Sequence, residues 1–191
     1  MKKSICLLLA LLLGAALCGC EPSASNAVYA MDEEMQLQVW GEDCKAVMRE
    51  LEQALAGQEA YWGAANPDAA PDETILEATE ALAERTGGAL DPWLGNVLEA
   101  YGFYDQVYRI PTEDELSAAL ENGRADLSAV IRGYAGDKCV EALNKYKVTR
   151  AFLDLGGGVQ TYGEKPDGEP WVIGIPGPDG KTIQYGVNFG Q

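Results

Sequence analysis

Met35, Leu37 and Val39 alternate with Gln36, Gln38 and Trp40, a period of two that predicts a half-buried strand opening the folded part of the chain. The period then lengthens. Cys44, Val47, Met48, Leu51 and Leu55 fall on one stripe of a helix, with Asp43 in the N-cap place. Residues 57–71, interrupted by Gly57, Gly63, Pro67 and Pro71, read as loop. Asp72 stands where it can cap a helix whose face is Leu76, Thr79, Leu82 and Ala83, and Gly87-Gly88 ends that helix in a left-handed cap. Asp91-Pro92 reads as N-cap and first position of a short helix to about Tyr101. Thr112 to Glu115 forms a capping box after Pro111, starting a helix that stops at Asn122-Gly123, and one more helix runs from about Ser128 to Tyr146. From Thr149 the period returns to two, over 151–155, 159–163, 170–175 and 182–187. The separators Gly156-Gly157, Asp167-Gly168 and Asp179-Gly180 mark hairpins. The predicted class is α+β, with helices packed on a largely antiparallel sheet.

The head of the chain follows a different pattern. Met1-Lys2-Lys3 is a short basic start, and Ile5 to Leu17 is an apolar run of signal-peptide length, too short to span a bilayer as a helix. It ends Leu17-Cys18-Gly19-Cys20, which resembles the bacterial lipobox, with Cys20 as the cysteine that is acylated and becomes the new N-terminus. This divides the chain into a lipoprotein signal over 1–19, a lipidated tether over 20–30 and one domain over 31–191. The alternative is an ordinary secretory signal cleaved near Ala30. With acylation, the protein is exported and held by its lipid at the extracytoplasmic face of the cell membrane.

Charge and composition narrow the chemistry. Acidic residues number 30 against 14 basic ones, which excludes a nucleic-acid partner, since phosphate backbones are held by clustered Lys and Arg. The absence of histidine excludes Ser/His/Asp triads, Cys/His dyads and His-ligated zinc. Carboxylates, hydroxyls, backbone groups or a hard metal remain. Beyond the signal and Cys20, the cysteines are Cys44 and Cys139; both fall on apolar helical faces, and a disulfide or two buried free thiols are both open.

Three motifs carry possible chemistry. In Thr86-Gly87-Gly88-Ala89-Leu90-Asp91-Pro92 a glycine-rich loop leads into a helix start, where exposed amides favour a phosphate; the plainer reading is helix stop, turn and cap. The run Asp126 to Asp137 places an acid before a helix that carries Arg132, Gly133 and Gly136. Its glycines suggest close approach of another backbone or a ligand, or simple small-residue packing. Asp154-Leu155-Gly156-Gly157-Gly158 ends a strand in three glycines, a ligand loop or a hairpin.

Taken in order, these motifs resemble the flavin transferase family known as ApbE, FAD:protein FMN transferase. Asp126 to Asp137 is similar to the family's "D-L-S/G-x-x-x-K/E-G-Y-A-x-D", Asp154 to Gly157 to its "D-L-G-G", and Gly163 to Pro178 to its "G-x-K-P-D-G-x-P-W-x-V/I-G-I-x-x-P". Thr86 to Pro92 matches "T-x-G-A-F-D-P" with Leu90 in place of Phe, Tyr101-Gly102-Phe103 stands for "W-G-F", and Ala30-Met31-Asp32 resembles the family's opening motif.

The resemblance implies an ApbE-like (T-fold-like) architecture and a magnesium-dependent enzyme. Such an enzyme cleaves FAD, joins the FMN half to a threonine of an exported or membrane redox-complex subunit, and releases AMP. By motif position, Met31, Ala89, Leu90, Asp91, Asp126 and Arg132 correspond to flavin-nucleotide contacts. Ala129 corresponds to a magnesium-side residue, able to act only through its carbonyl. Arg132 replaces the more usual Lys or Glu, keeping a positive charge but not lysine's compact geometry.

The departures define further expectations. Only Arg124-Ala125 stand between Gly123 and Asp126, where the family has a longer stretch. An early family segment is poorly represented by Tyr61-Trp62 and Asn66-Pro67-Asp68, so no site is carried over there. The later family motifs "T-S-G" and "H-x-I/L-D-P-x-T-G", and the Asp-Ala and Thr cluster that supplies most magnesium ligands, are not found. The expectation is a shortened, truncated member of the family. It is a transferase, a non-catalytic lipoprotein that binds flavin or a partner, or a fragment of a longer transferase.

Overall fold

Two strands open the fold in the computed structural model of the protein, which describes residues 21–61, 73–165 and 167–189. They are β1 (Ser23–Ala30) and β2 (Glu33–Gly41), joined by the two-residue turn Met31-Asp32 and paired antiparallel over their whole length. The expected tether over 20–30 is corrected here. Asn26 sits opposite Leu37 and Val28 opposite Met35, so the segment is a full edge strand, because β2 leaves a row of backbone groups that it satisfies. Glu21 is fixed as well: its carboxylate takes hydrogen bonds from Arg150 and the Thr149 hydroxyl, and the Pro22 carbonyl accepts from the Gly41 amide at 2.9 Å. The signal segment 1–19 and Cys20 lie outside the described residues.

The sheet continues through β3 (Val148–Asp154) and β4 (Val159–Tyr162) in the order β1-β2-β3-β4, all antiparallel. Alternation divides its faces. Met35, Leu37 and Val39 of β2 and Ala151 and Leu153 of β3 are buried, with Leu37 opposite Leu153 and Val39 opposite Ala151. The helices are α1 (Cys44–Ala56), α2 (Glu73–Arg85), α3 (Gly95–Ala100), α4 (Glu113–Glu121) and α5 (Ile131–Leu143). Helix α1 packs on α5, β1 and β2, and its buried stripe is the predicted one: Cys44, Val47, Met48, Leu51 and Leu55. Ile131, Ala135, Cys139 and Leu143 of α5 join the same core. Each fully buried leucine there stabilises the fold by about 1.5–3 kcal/mol.

Several local expectations shift. Asp43 makes no side-chain cap on α1; its carboxylate instead accepts from the Lys147 amide at 3.0 Å, tying the helix start to β3. Helix α2 turns Ile75 and Thr79 inward and leaves Leu82 exposed, since tertiary contact chooses one side of a weakly amphipathic helix. The Thr79 hydroxyl is satisfied by donating to the Ile75 carbonyl at 2.7 Å. The Asp72 cap and the loop residues 62–71 lie outside the described residues. Cys44 and Cys139 are buried and free, and burial pushes the Cys139 thiol up to about 12, which makes it unreactive.

The turn at Asp167-Gly168 does not join neighbours in one sheet. It separates β4 from a second, two-stranded sheet of β5 (Trp171–Pro176) and β6 (Ile183–Phe189). Trp171 attaches this hairpin to the outer face of the main sheet, its ring centroid 5.6 Å from that of Phe152 and 6.3 Å from that of Trp40. Its indole N–H donates to the Gly163 carbonyl at 2.7 Å. Among the described residues no helix is long and apolar enough to cross a membrane.

Candidate functional site

The β1–β2 turn is the first element of the site. Both of its residues have positive φ, 52° at Met31 and 61° at Asp32, the geometry that two-residue hairpins usually assign to Asn-Gly. Aspartate tolerates that region; methionine there costs on the order of 1–3 kcal/mol. Met31 is nevertheless fully buried and held at both peptide groups. Its N–H donates to Glu59 Oε2 at 2.6 Å, and its carbonyl accepts from Arg132 Nη2 at 3.1 Å. Arg132 Nη1 donates to the Gly156 carbonyl at 3.0 Å, and Glu33 Oε1 lies 4.0 Å from Nη2. One guanidinium therefore joins the β1–β2 turn to the β3–β4 turn, the planar fork suiting two carbonyls at once.

The second element is the Asp126 turn ahead of α5. Asp126 Oδ1 accepts from the Ser128 amide at 2.8 Å and from the Ser128 hydroxyl, and Oδ2 accepts from the Tyr104 hydroxyl at 2.5 Å. The Arg124 guanidinium lies 5.2 Å from the Tyr104 ring centroid. Burial foremost, then the bond to and charge of Asp126, raise the Tyr104 pKa against the opposing pull of Arg124, so this phenol stays a donor at neutral pH. The Asp126 amide donates to the Pro92 carbonyl at 2.8 Å, and the Gly95 amide donates to the Arg124 carbonyl at 2.9 Å. A β carbon on Gly95 would stand 2.7 Å from that carbonyl oxygen; glycine is what lets the two segments touch.

The third element is the glycine loop between α2 and α3. Gly87 and Gly88 have φ of 64° and 81°, as a left-handed helix end requires. The Thr86 hydroxyl accepts from the Leu90 amide at 3.2 Å, and Asp91 Oδ1 accepts from the Trp93 amide at 2.9 Å. The helix expected directly after Pro92 begins later, at Gly95, because Asp91 closes a local turn first. Leu90 and Asp91 line an open cavity of about 520 Å³ with Glu80, Ala83, Glu84 and Trp93.

These contacts sort the sequence-predicted residues into groups. Met31 and Arg132 touch directly. Ala89, Leu90 and Asp91 are contiguous and reach Asp126 through Pro92, while the run from Asp126 to Arg132 carries both groups on one segment. Ala129 stands apart, lining a groove of about 330 Å³ between α2 and α5 with Thr79, Arg85, Tyr134 and Asp137. Helix α5 starts at Ile131, not Ser128. Of its glycines, only Gly136 is a close approach, with Leu155 Cδ1 3.2 Å from a β carbon placed there; Gly133 has nothing within 4 Å. As for magnesium, among the described residues no three of Asp, Glu and Cys gather to hold a metal ion, and Ala129 has only its backbone to offer. The described residues do not form a magnesium cage.

Glu59, Tyr104 and Arg124 are the residues that sequence reasoning missed. Glu59 lies in a stretch read as loop, where it forms a single 3-10 turn, Glu59–Tyr61; no local signal marks it. Tyr104 and Arg124 each sit one or two residues from a motif, which is the only trace they leave in the sequence.

A family model described as "ApbE family" matches residues 31–189. The chain belongs to the ApbE family. Its relatives include the FAD:protein FMN transferase of Vibrio cholerae, 25% identical over 150 residues, covering 65% of this chain and 45% of the relative. That of Haemophilus influenzae is 26% identical over 139 residues, covering 56% and 40%. The chain thus spans less than half the length of these relatives. Among solved structures, the ApbE protein of Thermotoga maritima aligns with a TM-score of 0.72 at 21% identity, covering 88% of this chain and 68% of that one. The apo flavinyl transferase ApbE of Pseudomonas stutzeri aligns at 0.70 and 20%, covering 83% and 64%. The α+β fold, with helices on antiparallel strands, is the ApbE fold.

Proposed function

We propose that this chain binds FAD and acts as, or as part of, an FAD:protein FMN transferase. The observation that carries the proposal is the ApbE family match over residues 31–189, with relatives named for that activity. The contacts that bring Met31 to Arg132 and the Asp91 loop to Asp126 support it. In this reading Met31, Ala89, Leu90, Asp91, Asp126 and Arg132 surround the flavin nucleotide. An acceptor threonine oxygen bonds to the phosphorus of the FMN half, the pyrophosphate P–O bond to AMP breaks, AMP leaves, and the hydroxyl proton passes to solvent. The acceptor is an exported or membrane redox-complex subunit. Magnesium, when bound, supplies positive charge against the phosphates, with Ala129 offering its carbonyl; because the described residues supply no further ligand set, no step is assigned to the metal.

The test is FAD titration by flavin fluorescence together with AMP release, with and without magnesium. Saturable binding with magnesium-dependent AMP release, and FMN joined covalently to a threonine-bearing acceptor added to the same assay, supports transfer. Binding without AMP supports the second reading, a flavin-holding protein. No binding rejects both.

Localisation is part of the proposal. Cys20 carries the lipid, and the anchor sits one residue from Glu21, which the structure ties to Arg150. Labelled fatty acid should enter the protein in cells and be lost in Cys20→Ala; equal labelling of the variant would reject acylation at this cysteine.

A further inference from the structure

The fully buried methionine in a two-residue hairpin turn needs an explanation, since Asn or Gly would hold that backbone more cheaply. Its two peptide groups are gripped from opposite sides by opposite charges: the Glu59 carboxylate at the N–H, 2.6 Å away, and the Arg132 guanidinium at the carbonyl, 3.1 Å away. Both bonds are charge-assisted and among the stronger kinds. Glu59 comes from the turn after α1, Arg132 from α5, and Arg132 also grips Gly156 after β3. Two separate segments thus meet on one strained residue and a third is joined to it through Arg132, and strain that the surroundings over-determine marks a position held for a purpose. We infer that Glu59 is a positioning residue which, opposite Arg132, clamps the Met31-Asp32 turn in its left-handed shape and so presents it to the FAD site.

The inference rests on the FAD reading for its ligand but not for its geometry. Arg132, whose motif position makes it a flavin contact, is committed to two backbone carbonyls and so supports the site through Met31 and Gly156. The sign of one substitution separates the clamp from a plain charge effect. FAD carries a pyrophosphate, so deleting a nearby negative charge should tighten binding if Glu59 acted only through its field. Removing the clamp should weaken binding instead.

The experiment uses the full chain and its variants Glu59→Gln, which keeps an acceptor oxygen, and Glu59→Ala, which does not. Amide exchange is read at Met31, with the core amide of Leu51 as control for global folding, and FAD affinity is read by flavin fluorescence. Expected are faster exchange at Met31 with Leu51 unchanged, and about a tenfold weaker FAD affinity in Glu59→Ala with Glu59→Gln in between, a step of the size a charge-assisted bond supports. Unchanged exchange at Met31 overturns the clamp, as does FAD binding that is unchanged or tighter in Glu59→Ala. If the unaltered chain binds no FAD, the functional reading fails by itself, and the exchange result alone decides whether Glu59 holds the turn.

Discussion

At the scale of single residues, the site is made by backbone in unusual places. Gly156 shows this most sharply. Its φ is +71°, and a β carbon there would stand 2.5 Å from Glu33 Cβ, while its carbonyl takes a hydrogen bond from Arg132. Gly156→Ala must both adopt a left-handed backbone and displace Glu33. It should therefore destabilise the protein by about 2 kcal/mol, combining strain and crowding, and weaken FAD binding because the Arg132 fork loses its fixed second carbonyl. Thermal unfolding and flavin titration check the two effects; an unchanged melting temperature would contradict the crowding. The sequence made this glycine visible in "D-L-G-G" but not its partner. Arginine's double attachment, like Glu59 on Met31, spans more than 20 residues and leaves no periodic trace.

At the scale of elements, local rules worked where local chemistry is complete. Thr112 and Glu115 form both halves of the capping box of α4, and Glu115 also holds Arg109 at 2.9 Å. The Arg109 bond first, then the Thr112 amide and hydroxyl, lower the Glu115 carboxyl to about 2. A carboxyl depressed in the folded state adds stability that is present above its unfolded value of about 4.5 and lost as pH falls through about 2. Helix α4 should accordingly lose amide protection between pH 4.5 and 2, ahead of the main sheet, and Thr112→Ala should weaken it by about 0.5–2 kcal/mol already at neutral pH. Protection that stays flat across that interval would contradict the account. Local rules failed where a neighbour decides. Asp43 had a helix to cap but was drawn to Lys147, and α2 buried Ile75 because of what it packs on. Residues 23–30 alternate too weakly to announce a strand, and it is β2's unpaired edge that makes them one.

At the scale of the molecule, the order of strands and helices after β1 was legible, since long periodic runs such as Met35–Val39 and Cys44–Leu55 determine their own elements. The family was legible too, because several spaced motifs occur in one order. The grouping of strands was not. Nothing at Asp167-Gly168 distinguishes a hairpin from a crossing between sheets, and Trp171's seat on Phe152 and Trp40 is a long-range contact. The same long-range pairing shapes the site: the Met31 and Gly156 turns lie at the same end of the main sheet because β1–β2 and β3–β4 are adjacent hairpins. Glu21 is fixed at the other end, beside Arg150 and Trp40. An eight-residue strand between them measures about 26 Å at 3.3 Å per residue, so Glu21 and the turns stand at opposite ends of the sheet. Flavin fluorescence titration of the full chain decides whether these turns and the Asp126 segment take FAD, as proposed. Saturable binding that Asp126→Asn weakens is expected; fluorescence that does not change across the titration would contradict FAD binding at this site.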